Sequence, residues 1–157
     1  MRTTWLTTCI VLIAWCSAAA RGADAPAADA SKPPQLDAEK YPQDTPMKAL
    51  GSLIKALEAR DMAYWITHLL VPATNKRLME KYGSLEKAVE ANADPKRAAR
   101  LTEQLALMKQ MLAGPPPTEG EDNGVKWARF KVDQTVLQLE KQPDGRWCMN
   151  TRVKSVP

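Results

Sequence analysis

The sequence is poor in the residue types that build most catalytic and metal sites. It contains one histidine, His68, and three cysteines, of which Cys9 and Cys16 lie near the N-terminus. It has no paired-cysteine or His-x-x-x-His spacing, so no metal site is expected. It also has no Gly-x-Ser-x-Gly motif and no glycine-rich phosphate loop. The sequence therefore predicts no catalytic residues, no metal and no cofactor.

The charge is nearly balanced. The 157 residues include 22 basic and 18 acidic side chains, which gives a net charge of +4. Like charges do not form a long run, and the small basic surplus is spread along the chain. This distribution does not indicate a nucleic-acid partner. The length fits one domain.

The first 20 residues have the pattern of a secretory signal peptide. Arg2 precedes an uncharged apolar run, residues 5–16, and small residues follow at 17–20. We expect cleavage after Ala20 and a periplasmic or extracellular protein. An uncleaved membrane anchor is the alternative. The run is shorter than the roughly 20 residues that cross a bilayer, so no transmembrane span is expected in the mature chain.

After such cleavage, Cys148 is the only cysteine left. An exported domain without an internal disulfide must be held by its apolar core. We expect Cys148 to be a small strand residue, and an intermolecular bridge is the alternative.

Residues 21–44 are rich in Ala, Pro and Asp and have few large apolar side chains. This composition predicts a flexible linker, because it buries too little surface to offset its conformational entropy. A single domain is then expected over residues 45–157.

The first half of that domain has helical periodicity. Thr45 and Asp94 each precede a proline, which predicts helix starts at Pro46 and Pro95. Pro72 should end the second helix, and Thr74 should cap the third. The predicted helices span residues 46–60, 62–71, 75–82, 85–91 and 95–113.

After Gly124 the apolar period becomes that of strands. Strands are predicted at residues 125–132, 135–141 and 146–153, and residues 118–124 are interpreted as an acidic loop. Trp127 and Phe130 should lie on opposite faces unless a bulge intervenes. In the last strand, Trp147, Met149, Thr151 and Val153 should point inward.

The predicted fold is α+β, with N-terminal helices packed on a C-terminal three-stranded antiparallel meander. The predicted core consists of Leu50, Ile54, Leu57, Trp65, Leu69, Leu101, Leu105, Met108, Phe130, Leu137, Leu139, Trp147 and Met149.

Two segments resemble the nuclear transport factor two-like, or cystatin-like, α+β domains of small exported bacterial proteins. One is the helix pair at residues 46–70, with its acidic turn at Arg60-Asp61. The other is the last hairpin, LQLEKQPDGRWCM at residues 137–149. The resemblance implies a curved sheet around a long helix with a pocket between them. The helical middle, residues 72–112, departs from that pattern.

Three polar residues of the second helix are candidates for lining such a pocket. Asp61, Tyr64 and His68 recur along one side of the helix, and enzymes of the resembling superfamily often use an Asp or a His in the pocket. The alternative is structural, with Asp61 as an N-cap. Three aromatic residues are possible pocket walls or core residues: Trp65, Trp127 and Trp147.

The sequence favours an exported, non-enzymatic binding or interaction module of the cell envelope, with an envelope protein or a small ligand as its partner. The alternative is a small-molecule pocket protein or enzyme of the resembling superfamily, and a third hypothesis is a structural envelope component. A cavity lined by Asp61, Tyr64 and His68 would favour the pocket. A sheet face filled by Leu101, Leu105 and Met108 would favour the interaction module.

Overall fold

A computed structural model describes residues 33–151. The predicted signal peptide, residues 21–32 of the predicted linker and the predicted strand end at Val153 lie outside these residues. The elements are α1 (Pro46–Glu58), α2 (Met62–Tyr64) with a π-helical continuation (Trp65–Leu69), α3 (Pro72–Tyr82), α4 (Leu85–Asn92), α5 (Pro95–Ala113), β1 (Thr118–Asp122), β2 (Val125–Val132), β3 (Thr135–Lys141) and β4 (Trp147–Asn150).

The predicted helix starts at Thr45 and Asp94 are confirmed. The Thr45 hydroxyl accepts a hydrogen bond from the Lys48 backbone N–H at 3.3 Å. Asp94 Oδ1 accepts from the Lys96 N–H at 2.9 Å. Both caps satisfy backbone donors that a first helical turn leaves unpaired. Helix α5 spans the predicted residues.

The prediction around Pro72 is wrong. The second helix ends at Leu69, and Val71 is extended, so Pro72 is the first residue of α3. Proline suits that position because its missing N–H would have no helical partner there. The Thr74 hydroxyl lies 3.2 Å from the Thr151 hydroxyl and accepts from Arg77 Nη2, so Thr74 caps no helix.

Within the described residues the sheet has four strands, where three were predicted. Its order is β1-β2-β3-β4 and every neighbouring pair is antiparallel. The predicted acidic loop contains β1, joined to β2 by Asn123 and Gly124 with φ of 50° and 76°. Positive φ at both central residues makes a two-residue turn that matches the twist of a hairpin. The α+β class, with helices before strands, is confirmed.

The helices cover one face of this sheet, which we call the inner face. Ala128, Phe130, Leu139 and Met149 are buried there. Leu101, Leu105 and Leu137 are only partly buried, although they pack against the core. All other predicted core residues are buried. Continuous pairing from Trp127 to Val132 leaves no room for a bulge, so Trp127 and Phe130 lie on opposite faces.

The last strand is shorter than predicted. It ends at Asn150, and Thr151 is exposed rather than inward-facing. Along the edge of β4 that faces away from β3, Leu70 forms a parallel bridge with Met149. The Val71 N–H donates to the Met149 carbonyl at 3.0 Å. The turn after the π-helical segment therefore covers this edge of the sheet.

Residues 33–44, which we call the strap, pack on the domain. Tyr41 is 1% exposed and belongs to the core. The Trp147 N–H donates to the Gln43 carbonyl at 2.9 Å, and Gln43 Nε2 donates to the Trp147 carbonyl at 3.1 Å. The packed part of the chain therefore begins before Thr45, inside the segment that composition assigned to the linker.

Candidate functional site

The polar trio of Asp61, Tyr64 and His68 lies along one side of the second helix, as the spacing predicted. Asp61 Oδ1 accepts the Tyr64 backbone N–H at 3.3 Å and so caps α2. The rings of Tyr64 and His68 have centroids 4.7 Å apart. The structure shows what each of the three side chains contacts.

Each member of the trio is bonded to the strap. The Tyr41 hydroxyl donates to Asp61 Oδ2 at 2.9 Å. The Tyr64 hydroxyl lies 3.2 Å from both the N–H and the carbonyl oxygen of Asp37. His68 Nε2 lies 2.6 Å from the Pro34 carbonyl oxygen. The trio therefore holds the strap on the helix.

The strap also buries the two tyrosine rings. Tyr41 and Tyr64 are 1% and 2% exposed, and their ring centroids are 4.3 Å apart. Burial raises the pKa of both phenols above the ordinary value of 10.0, because the charged phenolate loses its hydration. Because a raised pKa keeps both phenols protonated near neutral pH, neither phenol can act as a base there.

His68 lines a cleft of about 390 Å³ beside the β3–β4 turn, together with Arg146 and Cys148. Asp61 and Tyr64 do not line it. The trio as a whole therefore does not converge on this cleft.

Cys148 lies next to the same cleft and is 2% exposed. Its thiol lies 3.5 Å from the His68 carbonyl and 3.7 Å from Gln43 Nε2. Burial raises the pKa of the thiol to about 11. A thiol with that pKa forms little of the reactive thiolate near neutral pH.

Two methionines of α5 pack on the inner face of the sheet. Met108 and Met111 are 4% and 3% exposed and belong to the core. Leu101 and Leu105 instead line an apolar cleft of about 300 Å³ with Leu57, Met62 and Val89 of the neighbouring helices. Met108 and Met111 also line a cleft of about 200 Å³ between α5 and the sheet, together with Leu137 and Met149.

The three candidate tryptophans separate into two environments. Trp65 and Trp147 are 8% and 5% exposed and belong to the core. Trp127 is half-buried and lies on the opposite face of the sheet, which we call the outer face. Among the described tryptophans, only Trp127 is open to a binding partner.

Trp127 is held by its neighbours on the outer face. Its indole lies across Gly120, its cross-strand partner in β1, so closely that a Cβ on Gly120 would lie 2.3 Å from the ring. An aromatic ring that covers a glycine on an edge strand stabilises the hairpin. The guanidinium carbon of Arg129 is 4.1 Å from the indole centroid, which is a cation–π contact.

A row of hydrogen bonds crosses the outer face from Arg129. Arg129 Nε donates to Gln138 Oε1 at 2.8 Å, and Gln138 Nε2 donates to Glu140 Oε1 at 3.0 Å. The Asn150 amide also donates to Glu140 Oε1. Gln138, at the centre, is 9% exposed. The row fixes the position of Arg129 beside Trp127.

The described residues contain no cluster of three metal-ligating side chains and no helix that is long and apolar enough to cross a membrane. The comparisons with protein families, curated proteins and solved structures found no match for this chain. The resemblance to nuclear transport factor two-like domains stays a prediction.

Sequence reasoning missed two parts of this arrangement. It treated Trp127 as a pocket or core residue. The odd spacing of three residues between Trp127 and Phe130 in one strand already indicated that they lie on opposite faces. It also missed the strap, for which Tyr41 in an otherwise small and polar segment was the available sign.

Proposed function

We propose that the protein is an exported, non-enzymatic binding module that contacts a partner protein of the cell envelope through the outer face of its sheet. The observation that carries this proposal is the pair formed by Trp127 and Arg129. Tryptophan and arginine are the residue types that contribute most often to binding energy at protein interfaces. Here they form a half-buried pair on the face of the sheet opposite the helices.

The rigidity of the pair supports the same proposal. Trp127 lies against Gly120, and Arg129 is bonded to Gln138. Side chains that are already held in place lose less conformational entropy when a partner binds. The half-buried indole offers apolar area, and the guanidinium offers a charge for a carboxylate.

The contacts of the polar trio favour binding over the small-molecule alternative. Asp61, Tyr64 and His68 are bonded to the strap, and none of them lines the cleft between α5 and the sheet. The export part of the proposal rests on the first 20 residues of the sequence.

Site-specific photo-crosslinking in the source organism tests the proposal. A photoreactive amino acid at position 131, exposed on the outer face, is compared with one at position 87, exposed on α4. We expect an envelope-protein adduct from position 131 that position 87 does not give. We also expect the recovered protein to begin at Arg21. Equal adducts from both positions, or a cytosolic protein that keeps residues 1–20, would contradict the proposal.

A further inference from the structure

The two edges of the sheet differ in their accessibility. The edge of β4 that faces away from β3 is bridged by Leu70 and hydrogen-bonded to Val71. Within residues 33–151, the backbone of β1 pairs only with β2. We propose that this free edge accepts an extended, basic segment of the partner protein as an added strand, a mode of binding that rests on the proposed function above.

The backbone of β1 is set up for such pairing. Asp122 and Val125 flank the two-residue turn, so they exchange backbone hydrogen bonds with each other. In an antiparallel pair the bonding direction alternates along the strand, so Glu119 and Glu121 direct their N–H and C=O groups away from β2. A peptide in strand addition gains affinity from main-chain groups of this kind.

The charge of β1 selects the added segment. Glu119, Glu121 and Asp122 are all exposed, and β1 carries no basic residue. In a second copy of this strand, carboxylates would lie opposite carboxylates, which destabilises pairing. Lysine or arginine at alternate positions of a partner segment would instead lie beside Glu119 and Glu121. The edge therefore opposes self-association and favours a basic partner.

The outer face adds an apolar contact to this edge. Because the Trp127 ring extends across Gly120, it reaches the strand that the partner would join. A partner residue beside Gly120 would point to the outer face and lie next to the indole. The segment that fits is therefore extended, with basic residues alternating with apolar ones.

The probe is a capped heptapeptide in which lysine and valine alternate, titrated into the full exported chain. We expect saturable binding with shifts in the backbone NMR signals of residues 118–122. A peptide with glutamate in place of lysine should not bind. A third peptide is N-methylated at the alternate residues whose N–H groups would face β1. It keeps the charge of the lysine–valine peptide but lacks these hydrogen-bond donors, so we expect it to bind about tenfold more weakly.

Two variants of one residue separate backbone pairing from charge. Glu119→Gln and Glu119→Pro remove the same charge, and only proline also removes the N–H that points away from β2. We expect Glu119→Pro to bind the lysine–valine peptide about tenfold more weakly than Glu119→Gln does. Glu86→Gln, at an exposed carboxylate on α4, serves as the charge-matched control and should bind as the parent does.

Equal binding of the N-methylated peptide, equal affinities of the two Glu119 variants, or no binding of the lysine–valine peptide would each overturn strand addition. Crosslinking from position 131 distinguishes this failure from failure of the proposed function. An adduct that is lost in Trp127→Ala but retained in Glu119→Pro would overturn strand addition alone. Absence of any adduct specific to position 131 would overturn the proposed function.

Discussion

The Tyr41 hydroxyl donates a hydrogen bond of 2.9 Å to Asp61 Oδ2, across 20 residues of sequence. Asp61 Oδ1 simultaneously caps α2 through the Tyr64 N–H. One carboxylate thus joins the strap to the start of the second helix. The residue that the sequence suggested as a pocket acid is a structural junction.

We expect Tyr41→Phe to lower the free energy of unfolding by about 1.5 kcal/mol, because a hydrogen bond to a charged group is lost while the ring stays in the core. A double-mutant cycle with Asp61→Asn, measured by urea unfolding, isolates the pair. Strictly additive effects of the two substitutions would contradict the junction.

Alkaline pH should destabilise the protein through its buried tyrosines. Burial raises the pKa of Tyr41 and of Tyr64 above 10.0, so the unfolded chain loses these protons first. The two tyrosines contribute fully to stability at pH values below the ordinary tyrosine pKa of 10.0. This contribution is lost as the pH rises from 10.0 through the higher pKa of the folded state. Urea unfolding across this range should show the fall, and Tyr41→Phe should make it shallower.

Tyr82 supplies the control for this titration. A hydrogen bond from Arg97 lowers the pKa of Tyr82, so its ionisation favours the folded state at alkaline pH. Tyr82→Phe should therefore leave the alkaline loss at least as steep as in the parent. A shallower loss in Tyr82→Phe than in Tyr41→Phe would contradict the assignment to the strap.

Substitution of two glycines should change stability in opposite directions. Gly120→Ala places a methyl group against the Trp127 ring, and we expect a loss of about 1–3 kcal/mol from this overpacking. Gly51 lies inside α1 with nothing within 4 Å of its Cβ position. Gly51→Ala should stabilise the protein by up to about 1 kcal/mol, because alanine favours the helix.

Urea unfolding measures both effects, and the indole N–H signal of Trp127 reports on the ring. That signal should shift in Gly120→Ala and stay in place in Gly51→Ala. An unchanged Trp127 signal together with unchanged stability in Gly120→Ala would show that the ring does not lie on β1.

Cys148 should be unreactive in the native protein. It is 2% exposed, so a reagent has little access to the sulfur. Burial also raises the pKa of the thiol to about 11, so little of it is ionised near neutral pH. We expect no reaction with a thiol reagent until urea unfolds the chain, and no disulfide-linked dimer on a non-reducing gel. Lys126→Cys, at an exposed position of β2, is the reactive control. Rapid modification of native Cys148 would contradict its burial.

Local chemistry made the starts of α1 and α5 and the end of α5 predictable. Thr45, Asp94 and Gly114 mark helix ends through capping groups that depend only on nearby residues. The β1–β2 hairpin was also visible in Asn123-Gly124, but the acidic composition of the segment outweighed that turn signal. Composition describes solvent exposure well and strand pairing poorly, since an exposed edge strand can be as polar as a loop.

Long-range contacts could not be predicted in the same way. The helical period placed Asp61, Tyr64 and His68 on one side, but no local rule gives the partners Tyr41, Asp37 and Pro34, which lie 20 to 34 residues away. The arrangement of the outer face could be predicted only in part. Strand alternation separates Trp127 from Phe130, whereas the row through Gln138 depends on the register of three strands.

The central claim is that the partner binds at Trp127 and Arg129. Its most direct test is the yield of the position 131 adduct in Trp127→Ala compared with Tyr82→Ala, since Tyr82 also lies near an arginine, Arg97, but on the helical side. With both variants folded, we predict that the adduct is lost in Trp127→Ala and unchanged in Tyr82→Ala. An adduct of parental yield in folded Trp127→Ala would contradict the account.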